Sequence, residues 1–351
     1  MTRPGIVAHR GASGYLPEHT LAAYELGIRL GADAFEIDVV MTRDGQLIAR
    51  HENEIGHSTD IAARAEFGRR RVSRTVGELH EEGWFTEEMS AAEIAGVRAI
   101  EPLPQLRSTA HDGRYAVPAL PEILTLRAQL SAELARPVGL KVEVKTPQYF
   151  RRHGLAMEGS LVAALGAAGM LAADSPVEVM SFELAHLERL RALGVPNGLV
   201  FLVEDDPSRL VLDDPLGRSY ADHITPRGLA ALAPTVTALG PGRRVLFPGV
   251  AGGALGEPSR VFADVLAAGL RLDCWTFRAE NAFLPTDFRS GEEPTTLGDM
   301  AGLVAAYVQE GVDTVITDHP DRTGLRPAAC ALPEPSPDRH DQSPGRPPDL
   351  S

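Results

Sequence analysis

Only two cysteines, Cys274 and Cys330, occur in this chain of 351 residues. That number excludes a disulfide framework, and their spacing matches no zinc motif. Cys274 lies in an apolar run and reads as a buried thiol, whereas Cys330 lies in the tail. No stretch of 18 apolar residues occurs, so no transmembrane helix is expected. Positive charge is also scarce, with a formal net charge of −14. A polyanion-binding surface is therefore excluded, and nucleic acid with it. Any phosphate the protein handles must meet a local group of cations or a metal. The chain reaches a core strand by Gly5, leaving no room ahead of it for a secretory leader. The expectation is a cytoplasmic protein, or a secreted one if a leader has been trimmed.

What the chain does have is a large apolar fraction, 44%, and regular alternation. Apolar runs that read as strands are Gly5–Ala8, Ala34–Val40, Val138–Val144, Val177–Ser181, Leu199–Val203, Thr235–Leu239, Leu270–Thr276 and Thr314–Thr317. The sixth strand lies either there or near Val245. Between several of them lie helical stripes: Leu21, Tyr24 and Ile28; Met157, Leu161 and Leu165; Phe262 and Leu266; Leu297, Met300, Val304 and Tyr307. Strict β-α alternation implies a parallel sheet, and eight strands predict a closed α/β TIM barrel. The polar gap from His51 to Leu120 breaks the pattern. It contains Arg69-Arg70-Arg71 and Gly83-Trp84-Phe85 and reads as an insertion, about 52–119, on the barrel's C-terminal face. The arginines read first as a solvated loop. A second long connection, Ala279–Pro294, is expected on the same rim. The Pro-rich tail, 326–351, lacks periodicity and is expected to be disordered.

Parallel strands are usually apolar because helices cover both faces of their sheet. Here four polar clusters fall near strand ends: His9-Arg10, Glu36-x-Asp38, His51, and Lys141-x-Glu143-x-Lys145. Residues two apart on a strand share a face, so Glu36 and Asp38 point together, as do Glu143 and Lys145. Lys141, near its strand's start, reads as structural or solvent-facing. Asp44-Gly45 signals a two-residue hairpin. With Arg43 opposite Gln46, paired numbers sum to 89, which sets Asp38 opposite His51 on one face. Glu36, Asp38 and Glu143 would repel one another unless a cation joined them. All-oxygen ligands favour Ca²⁺ or Mg²⁺. Arg10 offers a two-pronged phosphate contact and Lys145 a point charge. His9 and His51 on either side of a phosphate are then a general acid and base. Together these residue types point to phosphodiester chemistry. Taken singly each has an ordinary structural explanation; their joint occurrence at successive strand ends is what carries the reading.

The ordered set His9-Arg10-Gly11, Pro17-Glu18-His19-Thr20, Glu36-x-Asp38-Val39, Thr42-x-Asp44-Gly45, His51, Glu143-x-Lys145 and Thr317-Asp318-His319-Pro320 resembles glycerophosphodiester phosphodiesterases. The likeness runs from about Gly5 to Leu325, and Gly83-Trp84-Phe85 in a long insertion is similar to the bacterial subgroup. The resemblance implies a TIM barrel hydrolysing a small-molecule glycerophosphodiester to sn-glycerol 3-phosphate and an alcohol. It implies Glu36, Asp38 and Glu143 as ligands of one Ca²⁺ or Mg²⁺ and His9 and His51 as the acid-base pair. It further implies Arg10 and Lys145 as phosphate contacts and Glu18 as a nearby site carboxylate. His19 departs from the pattern, which commonly has Asn there. Trp275, and less so Phe283, is a candidate apolar wall for the glycerol or alcohol portion. Two alternatives stand beside this reading: a lysophospholipase D or sphingomyelinase D-like phosphodiesterase, and an inactive phosphodiester-binding barrel.

Overall fold

The computed structural model describes residues 3–77, 79–249 and 253–326. The Pro-rich tail, Cys330 included, lies outside these residues. The strands are β1 (Gly5–Ala8), β2 (Ala34–Met41), β3 (Leu47–Ala49), β4 (Val72–Val76), β5 (Leu79–Gly83), β6 (Gly139–Val144), β7 (Val177–Ser181), β8 (Leu199–Val203), β9 (Ala238–Pro241), β10 (Arg271–Phe277) and β11 (Thr314–Thr317). Eight of them form a closed parallel barrel in the order β1-β2-β6-β7-β8-β9-β10-β11, with β1 pairing both β2 and β11. The expected TIM barrel is the observed fold. β3 pairs antiparallel with the end of β2 as a ninth strand. No helix of the described residues is long and apolar enough to cross a membrane.

The barrel strands are buried nearly throughout, and β2 is buried at all eight positions. Their outward side chains join the covering helices in one core that includes Phe35, Ile37, Val142, Leu187 and Val304. A smaller apolar cluster fills the inside of the barrel: Val7, Met180, Val200, Leu202 and Ile316, with Phe182 and Trp275 packed on it. Below that cluster the inside is ionic. Lys141 donates to Asp273 at 2.7 Å and also to Glu178, which Arg271 joins. The structural reading of Lys141 is therefore the right one, and solvent-facing is not, since it is only 5% exposed.

Two expectations about elements need correction. The sixth strand begins at Ala238, three residues after Thr235, and the Val245 alternative falls in a short helix, Arg243–Leu246. The amides of Thr235 and Val236 still donate to the carbonyl of Leu232, so these residues complete the preceding helix instead of opening a strand. The hairpin after β2 is also one residue longer than its Asp-Gly pair suggests. Val39 pairs with Ala49 and Met41 with Leu47, so paired numbers sum to 88. Thr42 and Gln46 close a three-residue loop in which Gly45 takes the left-handed conformation (φ +78°), the usual geometry of such loops. Asp44 is held there by Thr42 Oγ1 (2.6 Å) and by the amide of Ala91 (3.0 Å). Asp38 consequently faces Arg50, whose amide donates to its carbonyl at 3.1 Å.

Within the insertion, β4 and β5 form a separate antiparallel hairpin. Two arginines of the Arg69-Arg70-Arg71 run serve the insertion itself: Arg70 bonds Glu93 (2.7 Å) and the Glu88 carbonyl, and Arg71 lies 5.7 Å over the Trp84 ring. Phe85 is fully buried.

Candidate active site

The register Ala8↔Thr317 makes His9 and Asp318 neighbours where the barrel closes. His9 Nδ1 and Asp318 Oδ1 are 2.6 Å apart. Asp318 Oδ2 accepts from Arg107 Nη2 (2.6 Å) and Arg278 Nε (2.8 Å). Burial resists ionisation of Asp318, yet these two guanidiniums and His9 hold its carboxyl well below the usual range. A charged Asp318 beside Nδ1 requires that nitrogen to carry the proton, which leaves Nε2 as an acceptor. Burial, with Arg10 next to it, pushes the His9 pKa down to about 4, so the ring is neutral at neutral pH.

After His9 the chain turns sharply. Arg10 and Gly11 both have positive φ (56° and 84°), and a Cβ on Gly11 would lie 2.5 Å from the Ala23 carbonyl carbon. This turn aims the Arg10 amide at Glu36 Oε2 (2.8 Å) and its guanidinium at Glu18 Oε2 (2.8 Å), with Nε 3.4 Å from Asp38 Oδ2. Despite burial, Arg10 holds the Glu18 carboxyl down at about 2.

On the barrel wall, Asp38 of β2 is in register with Glu143 of β6. One carboxylate oxygen from each of Glu36, Asp38 and Glu143 lies within 4.8 Å of the others. All three residues are buried, and neither Glu36 Oε1 nor Asp38 Oδ1 has a hydrogen-bond partner. Burial and the Asp38 and Glu143 charges raise the Glu36 pKa well above its usual value. Burial and Asp38 likewise raise Glu143 to about 8, against the pull of Lys145. Lys145 Nζ is 2.6 Å from Glu143 Oε1 and 3.8 Å from Asp38 Oδ1. Three clustered carboxylates, two of them with an unsatisfied oxygen, in a site that raises the pKa of Glu36 and Glu143, suit a hard divalent cation.

His19 sits beneath this cluster, fully buried. Its Nε2 is 2.9 Å from Asp38 Oδ2 and its Nδ1 3.0 Å from the Tyr24 hydroxyl. Burial lowers its pKa, so it is a neutral ring that donates to Asp38 and accepts from Tyr24. A donor facing Asp38 is what an Asn amide also offers, which accounts for the departure noted in the sequence.

His51 does reach the site, but not by the register expected. It lies one residue beyond Arg50, past the end of β3, where the chain bends toward the cavity. Its Nδ1 contacts Glu52. A cavity of about 870 Å³ opens above the barrel, and its wall includes His9, Arg10, Glu36, His51, Glu143, Lys145 and Trp275. Seven of the nine expected site residues thus share one wall; Glu18 and Asp38 are held behind it by Arg10 and His19. Phe283 is not on that wall and packs under Arg278, 4.7 Å from its guanidinium. Asp318, Arg107, Arg50 and Glu52 were given no role by sequence reasoning. Asp318 belongs to the Thr317-Asp318-His319-Pro320 motif, and only barrel closure reveals what it faces.

Comparisons with known proteins agree with this picture. The model of the Glycerophosphoryl diester phosphodiesterase family matches residues 9–322. The chain is 27% identical over 299 residues to Arabidopsis thaliana glycerophosphodiester phosphodiesterase GDPD6, covering 82% of this chain and 78% of that protein. It is 25% identical over 337 residues to the Treponema pallidum glycerophosphodiester phosphodiesterase, covering 90% and 89%. Among solved structures it resembles an Oleispira antarctica phosphodiesterase in complex with the product sn-glycerol-3-phosphate (TM-score 0.59, 18% identity, 92% of this chain and 96% of that one). A glycerophosphodiester phosphodiesterase from Agrobacterium tumefaciens is similar in fold (TM-score 0.55, 17% identity, 92% and 100%).

Proposed function

Because the chain belongs to the glycerophosphoryl diester phosphodiesterase family, we propose that it hydrolyses glycerophosphodiesters to sn-glycerol 3-phosphate and an alcohol with the help of one Ca²⁺ or Mg²⁺. The observation that carries this reading is the convergence of Glu36, Asp38 and Glu143 within 4.8 Å, with Glu36 and Glu143 on the cavity wall that also presents His9 and His51. These three carboxylates would hold the cation, which when bound would supply positive charge against the charge growing on the phosphate. Arg10 and Lys145, also on that wall, bind the other phosphate oxygens and act on the same developing charge. Glu18 keeps Arg10 aimed, and Trp275 gives the alcohol portion an apolar wall.

His9 and His51 form the acid-base pair, one taking the nucleophile's proton and the other protonating the leaving alkoxide. Asp318 positions His9 by fixing its tautomer. The barrel from 1 to 325, insertion included, is the catalytic domain in this reading. The test is product release from a panel of glycerophosphodiesters with and without EDTA, using wild type, His9→Ala and His51→Ala. EDTA should abolish turnover and either cation restore it. Each alanine variant should lose on the order of 10² to 10⁴ in rate. Turnover indifferent to EDTA, or near wild-type rates in both variants, rejects the assignment.

A further inference from the structure

Beyond Glu36 and Glu143 the cavity wall is still acidic, for Glu52, Glu81, Glu183 and Glu204 line it as well. Three of the cavity's four Arg and Lys side chains are bound elsewhere: Arg10 pairs with Glu18, Lys145 with Glu143 and Arg278 with Asp318. The fourth, Arg209, lies 3.5 Å from Glu204. Glu52 contacts His51, and Glu81 is exposed to water on β5.

Glu183 differs from all of these. It is 3% exposed and has no ion-pair partner among the described residues. Its carboxylate takes one hydrogen bond, from the Gln148 amide to Oε2 at 2.8 Å, and Oε1 takes none. The residue stands at the start of the helix Leu184–Ala192, yet its side chain does not cap that helix. Burial, with Asp213 nearby, raises its carboxyl to about 7 against the pull of the Gln148 amide. A buried carboxylate with neither a cation nor a cap is costly, and on a cavity wall it has use for a donor that the ligand brings. Glu183 adjoins Phe182, whose ring lies 5.5 Å from Lys145 Nζ and meets the Trp275 ring at 90° with centroids 5.5 Å apart. It therefore borders the wall given above to the alcohol portion.

We infer that Glu183 is a specificity-determining residue, selecting leaving alcohols that end in a primary ammonium. The inference rests on the phosphodiesterase reading of the same site. A primary ammonium donates an N–H to Oε1 and supplies the missing charge. A trimethylammonium carries the same charge but has no N–H to give. A neutral hydroxyl donates but leaves the carboxylate's charge unmatched. Attraction by the cavity's negative field alone would not separate the two ammonium groups, whereas a direct hydrogen bond does.

The test compares glycerophosphoethanolamine, glycerophosphocholine and glycerophosphoglycerol, with the cation present, in the wild type, Glu183→Gln and Glu81→Gln. Gln at 183 keeps an acceptor for the Gln148 amide and removes the charge. In the wild type, kcat/KM should be about 10- to 100-fold higher for the ethanolamine diester than for either other, the worth of a hydrogen bond to a charged group. Glu183→Gln should bring the three within a few-fold of one another, and Glu81→Gln should keep the wild-type ratios. A wild type that does not prefer the ethanolamine diester overturns the inference while leaving the phosphodiesterase intact. So does a preference that survives Glu183→Gln, or an equal loss on all three diesters, which would give the residue to the fold. A preference lost equally in Glu81→Gln overturns it too, in favour of the general field. If no diester is turned over by the wild type, both readings fall together.

Discussion

Replacing Asp318 by Asn isolates the part of the site that orients His9. Asp318 Oδ2 accepts from two guanidiniums, Arg107 at 2.6 Å and Arg278 at 2.8 Å. An Asn amide must turn its oxygen to those donors, because its NH₂ group would oppose them. The NH₂ then faces His9 Nδ1, now 2.6 Å from a carboxylate oxygen. Nδ1 has to accept, the ring proton moves to Nε2, and the nitrogen facing the cavity changes from acceptor to donor. In a Ser-His-Asp site the equivalent change removes about 10⁴ of kcat, and we expect a loss of about 10³ to 10⁴ here. The fold should survive. Arg107 keeps Glu280 at 2.7 Å and the Arg278 side chain is 26% exposed, so the stability cost is about 2 kcal/mol, below that of stranding a fully buried charge. Steady-state kinetics at saturating cation, beside a thermal melt, separates the two effects. A folded Asp318→Asn enzyme within tenfold of wild-type kcat/KM would refute the orienting role.

Three further outcomes are expected. Glu143, raised to about 8, holds a proton at neutral pH in the absence of a cation, and Glu36 is shifted in the same direction; since only ionised carboxylates ligate, Ca²⁺ or Mg²⁺ affinity should rise with pH toward that value. Calorimetry in buffers of different ionisation enthalpy should register at least about one proton released per cation near pH 7, the share of Glu143 alone, and no release would count against the ligand set. The His9 pKa is about 4 when folded against 6.5 as the ordinary value, so between these values the unfolded chain binds more protons and stability falls as pH drops. The ring's share is on the order of 3 kcal/mol, and urea titrations of wild type and His9→Gln should differ in slope across that window; equal slopes contradict the burial argument. Finally, His19→Leu should weaken cation binding about 10- to 100-fold by releasing Asp38, whereas His19→Asn, which keeps a donor, should bind within a few-fold of wild type; equal defects would mean that the ring's bulk, not its hydrogen bond, matters.

The barrel was legible because parallel strands leave continuous apolar runs, and seven of the eight were bounded to within one or two residues. The sixth was harder: Thr235 and Val236 have strand-like side chains but complete a helix turn. The reacting groups were legible for a related reason, since charged residues in buried strands stand out against an apolar background. Asp38 and Glu143 could be paired by strand order, and the structure puts them in register. What sequence concealed was anything depending on an exact register or on closure. Asp44-Gly45 is compatible with loops of two or three residues, and a one-residue difference exchanged Arg50 for His51 opposite Asp38. Asp318 is 309 positions from His9 and meets it only because the last strand returns to the first. Arg107 sits in a polar stretch with no periodicity to mark it.

Arg107 has a consequence of its own. It reaches from the insertion to Asp318, Glu280 and the Ser13 carbonyl, and its side chain is 6% exposed. One side chain thus clamps the two ends of the barrel's circuit from outside that circuit. Shortening the insertion to obtain a minimal barrel would cut the clamp and slacken the histidine at the far end of the chain. Transplanting the insertion onto a sister scaffold would fail equally unless the receiving carboxylates came with it.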